Sequence, residues 1–129
     1  MDRTISALLE KNVTTVDVEN SIDEVEEVLN SHKLSCVPVV DSSGHCFGVI
    51  SAPDLVNFHA LHKNPKIERA GEACTHNVIE AGPDISVAEA ADLMVKNKIH
   101  HIVVIEKDAI KGIISSIDLV GEYLLKQPA

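Results

Sequence analysis

A serine and an aspartate three residues apart occur twice in the sequence and are its strongest candidates for binding chemistry. Ser51 precedes Asp54 and Ser115 precedes Asp118, each time directly after a short apolar stretch. One interpretation is a helix cap, in which the serine oxygen accepts a backbone amide and the aspartate reaches back. The other is a phosphate site, because the first amides and the dipole of a helix attract anions. The spacing is compatible with both interpretations.

Two adjacent histidines, His100 and His101, are the second candidate. Neighbouring residues of a strand point to opposite faces, so one of them can be purely structural. As phosphate ligands they would act when protonated, because a free imidazole is mostly neutral at pH 7. The first half of the chain has the uncharged Ser35 and Cys36 at the corresponding place. We therefore predict that the two halves bind phosphate unequally, and that the half with the histidines binds better near about pH 6.

Other reactive residues form no recognisable catalytic or metal motif. His59 and His62 would need two further ligands to hold zinc. His100, Ser115 and Asp118 include the residue types of a hydrolase triad, but the cap already explains the serine and the aspartate, and no nucleophile elbow accompanies them. Glycine-rich phosphate loops are also missing from the sequence. We expect neither catalysis nor a metal or cofactor.

The chain consists of two similar halves. Residues 12–41 align without a gap with residues 77–106, and GVISAPDLV at 48–56 aligns with GIISSIDLV at 112–120. Colinear similarity of this kind is typical of a duplicated structural unit. We therefore place one repeat at residues 4–62, a connector at 63–69 and a second repeat at 70–126.

Each half predicts the order strand, helix, strand, strand, helix. Serine and glutamate three residues apart predict capping boxes at Ser21 and Ser86, and apolar residues with helical period follow them. The predicted strands are Val13–Val16, Cys36–Val40, Phe47–Ser51, Val78–Ile79, His101–Ile105 and Ile110–Ser115, and the predicted closing helices are Pro53–His62 and Ile117–Lys126. The fold class is α+β, with two βαββα repeats packed sheet to sheet around a pseudo-twofold axis.

Composition excludes several classes of function. The net charge of −9 and the presence of one Tyr, two Phe and no Trp disfavour nucleic acid, which needs positive charge and stacking rings. No stretch has the length of a membrane span, and the N-terminus lacks the features of a signal peptide. The three cysteines have no C-x-x-C spacing, so we interpret them as reduced, mostly buried thiols of a cytoplasmic protein.

Tandem βαββα repeats that end in glycine, two apolar residues and the Ser-x-x-Asp-Leu pattern resemble the CBS domain, named for cystathionine β-synthase. A tandem pair of such domains is a Bateman module. The segments Ile5–Lys11 and Ala70–His76 fit the short helical lead-in of that family, although they end in Leu9-Glu10 and Cys74-Thr75 instead of the common Met-Thr. Residues 99–119 are similar to repeats of the AMP-activated kinase gamma subunit, in which a His-Arg pair precedes the central strand.

The resemblance implies an adenine-nucleotide site. In the family the aspartate accepts the ribose hydroxyls and the serine or threonine binds phosphate, which implies ribose ligands at Asp54 and Asp118. The implied phosphate ligands are Ser51, Ser115, His100 and His101. His101 replaces the arginine of the gamma-type pair, and arginine carries a permanent charge whereas histidine does not.

The resemblance also implies apolar walls for the adenine ring. The candidates lie on the first strands and around the central strands: Thr14, Thr15, Val16, Val37, Pro38, Val78, Ile79, Glu80, Ile102 and Val103. For any one of them a place in the sheet core is the alternative. The sequence leaves open whether the histidines serve the aspartate of their own repeat or that of the other.

These features predict a regulatory module that binds AMP or ADP in preference to ATP and acts on a separate protein. Modules of the family usually form homodimers through their helices. S-adenosylmethionine is an alternative ligand, because it shares the adenine and the ribose but replaces phosphate with a sulfonium and an amino acid. The alternative from a different class is a structural dimerisation or interaction domain without a ligand.

Overall fold

The computed structural model describes residues 3–10, 12–76 and 78–126. The chain divides into two compact units, and each contains one three-stranded sheet. We call Thr14–Val78 the first-repeat unit, and Met1–Val13 together with Ile79–Ala129 the second-repeat unit.

In the first-repeat unit the central strand pairs in parallel with a short first strand and antiparallel with the third strand. Its elements are β1 (Val16–Asp17), α1 (Ile22–His32), β2 (Cys36–Val40), β3 (Cys46–Ser51), α2 (Ala52–Ala60) and α3 (Ala70–Ala73).

The second-repeat unit repeats this topology, with β5 in the centre of its sheet. Its elements are a 3-10 helix (Ile5–Leu8), β4 (Glu80–Ala81), α4 (Val87–Asn97), β5 (His101–Glu106), β6 (Ala109–Ser115) and α5 (Ser116–Lys126). The predicted α+β class and the βαββα repeats are confirmed.

The first strand of each repeat begins later than predicted, and in the first repeat it is also shorter. The sequence predicted Val13–Val16 and Val78–Ile79, whereas the strands are Val16–Asp17 and Glu80–Ala81. In the first repeat Pro38 lies on the central strand, and a proline has no amide to extend the ladder toward Thr14. In the second repeat Val103 occupies that place, and its N–H donates to the carbonyl of Ile79 at 3.0 Å.

Serine begins the first long helix of each repeat, but only one of the two predicted capping boxes is complete. Ser21 Oγ accepts from the Glu24 amide at 3.3 Å, and the Ser21 amide donates to Glu24 Oε1 at 2.8 Å. Ser86 Oγ accepts from the Glu89 amide at 3.0 Å, but its hydroxyl, not its amide, faces the Glu89 carboxylate, at 3.4 Å. The prediction of a reciprocal box at Ser86 was therefore wrong.

Aliphatic side chains build both cores, as the scarcity of aromatic residues predicted. The first core consists of Val16, Ile22, Val25, Leu29, Val37, Val39, Ile50, Phe58, Ala70 and Cys74. The second consists of Ile5, Val87, Ala90, Met94, Ile102, Val104, Ile114 and Leu119. In each sheet the alternate residues of the central strand face the core, as the period of a strand requires.

The two helical lead-in segments belong to the opposite repeats. Ala70 and Gly71, which precede the second repeat, donate their amides to the carbonyls of Asn20 and Val18 in the first. The N-terminal 3-10 helix packs on the second repeat, where the Ile5 amide donates to the Ile85 carbonyl at 2.9 Å. Each compact unit of the structure therefore combines one repeat with the lead-in that precedes the other repeat in the sequence.

Within residues 3–10, 12–76 and 78–126, no helix combines the length and the apolar character that crossing a bilayer requires.

Candidate functional site

The first serine–aspartate pair forms the turn from β3 into α2. The Ser51 amide and the Ser51 hydroxyl both donate to Asp54 Oδ2, at 2.8 and 2.9 Å. The aspartate therefore reaches back to the cap residue as a helix cap does. This part of the site is present as the sequence predicted, and it uses one of the two carboxylate oxygens.

Thr75, a residue that the sequence did not single out, uses the other oxygen of Asp54. Its hydroxyl donates to Asp54 Oδ1 at 3.0 Å. The lead-in holds it there, because Thr75 and Val49 exchange two backbone hydrogen bonds of 2.8 and 3.0 Å. The only sign of this contact in the sequence is that the two lead-ins end differently: one ends in Cys74-Thr75, with a hydroxyl, and the other in Leu9-Glu10.

The second pair forms the same turn from β6 into α5. The Ser115 amide and hydroxyl donate to Asp118 Oδ2 at 2.8 and 2.9 Å, and the Asp118 amide donates to Ser115 Oγ at 3.3 Å. Asp118 is exposed, and in the described part of the chain no group donates a hydrogen bond to its Oδ1. The second junction therefore presents a carboxylate oxygen that the first junction engages internally.

Each junction depends on a glycine of the preceding strand. A Cβ on Gly48 would lie 2.5 Å from the Thr75 carbonyl oxygen and 2.9 Å from Cys74 Sγ. A Cβ on Gly112 would lie 2.8 Å from Leu9 Cδ2. These glycines allow the exchanged lead-in to lie directly against the strand that carries the serine.

Along the backbone, the two histidines adjoin the serine turn of their own repeat. His101 is paired with Ser115 across the antiparallel β5–β6 ladder. The His100 carbonyl accepts from the Ser116 amide at 2.8 Å. His100 is exposed and His101 is half-buried.

The corresponding residues of the first repeat are electrically neutral. Cys36 is paired with Ser51 across the β2–β3 ladder. Burial, and then the nearby Asp54 carboxylate, raise the pKa of the Cys36 thiol to about 12. Burial likewise raises the pKa of the Cys74 thiol, which lies in the adjoining lead-in. Both thiols are therefore protonated at neutral pH and supply no charge for a phosphate.

The predicted adenine-wall residues differ in how accessible they are. Val37 and Ile102 are fully buried members of the two cores, so their side chains support the sheets. Val16, Pro38 and Val103 are also buried, Thr14, Thr15, Val78 and Ile79 are half-buried, and Glu80 is exposed.

The compact units divide these residues between the two aspartates. The residues in the unit of Asp54 are Thr14, Thr15, Val16, Val37, Pro38 and Val78; those in the unit of Asp118 are Ile79, Glu80, Ile102 and Val103.

The serine hydroxyls are not arranged as nucleophiles. The Ser115 hydroxyl donates its hydrogen bond to Asp118 in the helix cap. It therefore does not donate to an imidazole that could act as its base. Among the described side chains, no three histidine, cysteine, aspartate or glutamate residues come together in a way that could hold a metal ion.

The model of the CBS domain family matches the chain twice, at residues 5–60 and 70–125. The chain therefore belongs to the CBS domain family and contains a pair of these domains.

Curated relatives contain the same region within longer or comparable chains. Inosine-5'-monophosphate dehydrogenase of Halobacterium salinarum is 30% identical over 76% of this chain, but the match covers only 19% of that enzyme. Homoserine O-acetyltransferase of Methanohalobium evestigatum is 28% identical over 89% of this chain and 23% of its own length. The chain thus spans about a fifth of these enzymes. Uncharacterized protein MJ1426 of Methanocaldococcus jannaschii is 24% identical over 90% of this chain and 88% of its own length.

Solved structures of CBS domain pairs have the same fold. The CBS domain pair of protein MJ0100, solved in complex with 5'-methylthioadenosine and S-adenosyl-L-methionine, is 27% identical with a TM-score of 0.89, covering 98% of this chain and 100% of that chain. The CBS domain of a membrane protein from Sphaerobacter thermophilus is 26% identical with a TM-score of 0.82, covering 93% of this chain and 87% of that chain.

Proposed function

We propose that this CBS pair is a regulatory module that binds an adenine nucleotide, AMP or ADP in preference to ATP, and acts on a separate protein. The observation that carries the proposal is the Asp118 carboxylate. Its Oδ2 is fixed by two donors of Ser115, while its Oδ1 remains available at the end of β6. A carboxylate held in this way is oriented before a ligand arrives, which lowers the entropic cost of binding.

The ribose of a nucleotide fits this carboxylate chemically. A vicinal diol presents two neighbouring donors, and a carboxylate provides acceptor sites on both oxygens. Hydrogen bonds to a charged acceptor are about twice as strong as neutral ones. Because Ser115 already donates twice to Oδ2, the two hydroxyls of the diol would both donate to Oδ1, which has two lone pairs.

The phosphate would be held by the residues around the same turn. The first amides of α5 supply the positive end of the helix dipole. His101 begins β5 and is paired with Ser115, and His100 directly precedes it, so a protonated imidazole would add charge at this junction. We propose that the second-repeat unit is the stronger nucleotide site.

Bound nucleotide is not expected to be turned over. Ser115 donates its hydroxyl to Asp118, and this aspartate is in turn the proposed ribose ligand. Neither residue is then available to attack a phosphorus atom or to activate a water molecule for that attack. We therefore expect binding without catalysis.

S-adenosylmethionine is the second candidate ligand. The MJ0100 pair, which was solved with this ligand and with 5'-methylthioadenosine, is 27% identical to this chain over nearly its full length. The net charge of −9 also favours a cationic sulfonium. The ribose contact at Asp118 would be common to both ligands, whereas the histidines would favour the nucleotide.

A panel of ligands in a thermal unfolding assay tests these proposals. AMP, ADP, ATP, S-adenosylmethionine and 2',3'-dideoxyadenosine monophosphate would each be added to the intact chain. A ligand at 100 times its Kd stabilises the folded state by about 2.7 kcal/mol, which raises Tm by roughly 10 °C for a chain of this size. We expect AMP and ADP to raise Tm and the dideoxy analogue to have no effect. A response to S-adenosylmethionine alone would support the second candidate, and no response to any ligand would support the purely structural role.

We also propose that the pair dimerises through its helices. Helix α5 carries Ile117, Val120 and Leu124 along one side, and these side chains are 71%, 48% and 68% exposed. Such a stripe is unusual on the surface of a monomer. Light scattering of the wild type and of Leu124→Glu tests this proposal: a dimer that becomes a monomer supports it, and a wild-type monomer at all concentrations contradicts it.

A further inference from the structure

The first-repeat unit contains a cavity away from the serine–aspartate junction. Its volume is about 420 Å³, and its lining includes Val18, Glu19, Asp41, Phe47, Arg69 and Glu72. Val18 and Phe47 provide apolar surface. The charged lining residues are three acidic ones and one arginine. The local charge of the cavity is therefore negative.

Phe47 is presented to the cavity by a β-bulge. The pairing of β2 with β3 passes from Val39 opposite Gly48 to Val40 opposite Cys46, which leaves Phe47 as the extra residue. Bulges of this kind redirect a side chain and are frequent next to binding sites. Phe47 is 41% exposed, and its ring makes an edge contact with the ring of His76, with 4.9 Å between centroids.

The lead-in of the second repeat forms another wall of the cavity and is firmly attached. The Gly71 amide donates to the Val18 carbonyl at 3.0 Å, and a Cβ on Gly71 would lie only 3.2 Å from Val18 Cβ. Arg69 Nη1 donates to the Glu19 carbonyl at 3.3 Å, and the Arg69 amide donates to Glu72 Oε1 at 3.1 Å. The polar groups at the rim are therefore positioned by the backbone.

Asp41 is positioned by the turn between β2 and β3. Its Oδ1 accepts from the amides of Ser43 and His45, at 2.9 and 3.0 Å. These bonds use only one oxygen of the carboxylate. They also fix the side chain without neutralising its charge.

The duplicated half does not repeat this chemistry. The extra residue of the β6 bulge, between Gly112 and Ile110, is Lys111. Thr4 and Ala7 stand in the second-repeat unit where the lead-in of the first has Arg69 and Glu72. The lining chemistry of the cavity is thus particular to the first repeat, and the Ser-x-x-Asp site that both repeats share does not explain it.

We propose that this cavity binds a basic side chain, arginine in particular, of a partner polypeptide. The face of Phe47 attracts a cation, and arginine is the residue that most often pairs with aromatic rings. Glu19, Asp41 and Glu72 supply complementary charge, and the net charge of −9 steers a basic partner toward this chain. The inference goes beyond nucleotide binding and does not depend on it.

Fluorescence polarisation of a rhodamine-labelled peptide, acetyl-Ala-Arg-Ala-Arg-Ala amide, tests the proposal on the intact chain at about 50 mM salt, where charge attraction is weakly screened. The same peptide with citrulline in place of arginine has the same shape without the charge. We expect the citrulline peptide to bind at least about five-fold more weakly. We also expect Phe47→Leu to weaken arginine binding about two- to five-fold, which corresponds to the loss of an exposed cation–π contact.

Matched variants in the second repeat separate a specific site from general attraction. Phe47→Lys, which copies the residue of the other bulge, should abolish binding, whereas Lys111→Ala should leave it unchanged. Glu72→Gln should weaken binding more than Glu106→Gln, although both remove one negative charge. Equal effects of the two glutamine variants, equal affinity for the two peptides, or an unchanged affinity in a folded Phe47→Lys variant would each overturn the proposal.

Discussion

The two repeats have the same turn from strand to helix, but different groups surround it. In the first repeat, Asp54 accepts from Ser51 through one oxygen and from Thr75 through the other. In the second repeat, Asp118 accepts from Ser115 through one oxygen, and His101 is paired with Ser115 on the neighbouring strand. Two identical motifs can therefore differ in how well they could bind a ligand. Residues distant in sequence decide which carboxylate oxygen is left without an internal donor.

The charge at the two turns differs as well. The first turn is bordered by thiols, which are never positively charged, and burial raises their pKa values so that they are neutral at neutral pH. The second turn adjoins His100 and His101, whose imidazoles carry a positive charge when they are protonated. This difference is why we propose that the second turn, and not the first, binds an anionic ligand.

The largest expected effect is the loss of nucleotide binding in Asp118→Asn. The amide of asparagine offers one acceptor oxygen without charge, so the charge-assisted contact with the ribose diol is lost. We expect the affinity for AMP to fall by about 100-fold. Isothermal titration of this variant and of Asp54→Asn provides the measurement and its control, because Asp54→Asn should change the affinity by less than about three-fold. Equal losses in both variants would contradict the assignment of the stronger site.

The glycines before the two turns should differ in their sensitivity to alanine. In Gly48→Ala the new Cβ would lie 2.5 Å from the Thr75 carbonyl oxygen, which is a backbone atom and cannot move away as easily as the end of a side chain. In Gly112→Ala it would meet the end of the flexible Leu9 side chain at 2.8 Å, and the φ of +156° at this position adds backbone strain. We expect the free energy of unfolding to fall by about 2–3 kcal/mol for Gly48→Ala and by about 1–2 kcal/mol for Gly112→Ala, measured by urea denaturation. The reverse order would show that the first lead-in is not firmly attached.

The local elements could be predicted from the sequence, whereas relations between distant segments could not. The cap at Ser21 and the limits of β2 follow from residue types within a few positions. The contact of Thr75 with Asp54 joins residues 21 positions apart, and the exchange of the lead-ins joins segments that are further apart still, such as Ala70 with Asn20. The bulge at Phe47 is equally hidden, because alternation along a strand gives no sign of an inserted residue.

Removing the Thr75 hydroxyl should make the first turn more like the second. Thr75→Val keeps the shape and the β-branch of the side chain. It removes the hydroxyl that donates to Asp54 Oδ1 at 3.0 Å. We expect the affinity for AMP at the first repeat to rise by about five-fold, since the diol no longer competes with an internal donor. Titration in the Asp118→Asn background isolates this site. An unchanged or lower affinity would show that the hydroxyl does not compete with the ligand.

The smallest expected effect is the pH dependence of the second turn. Protonated imidazole attracts phosphate, so AMP should bind more tightly as the pH falls from 8.0 to 6.0, by about three-fold. AMP itself gains a proton near pH 6, which acts in the opposite direction. The double variant His100→Ala, His101→Ala contains only the effect of the ligand and should bind more weakly at the lower pH, whereas His45→Ala, in the first repeat, should behave as the wild type. A wild type that follows the double variant across this range would exclude the histidines as phosphate ligands, and the advantage of the second repeat would then rest on its carboxylate alone.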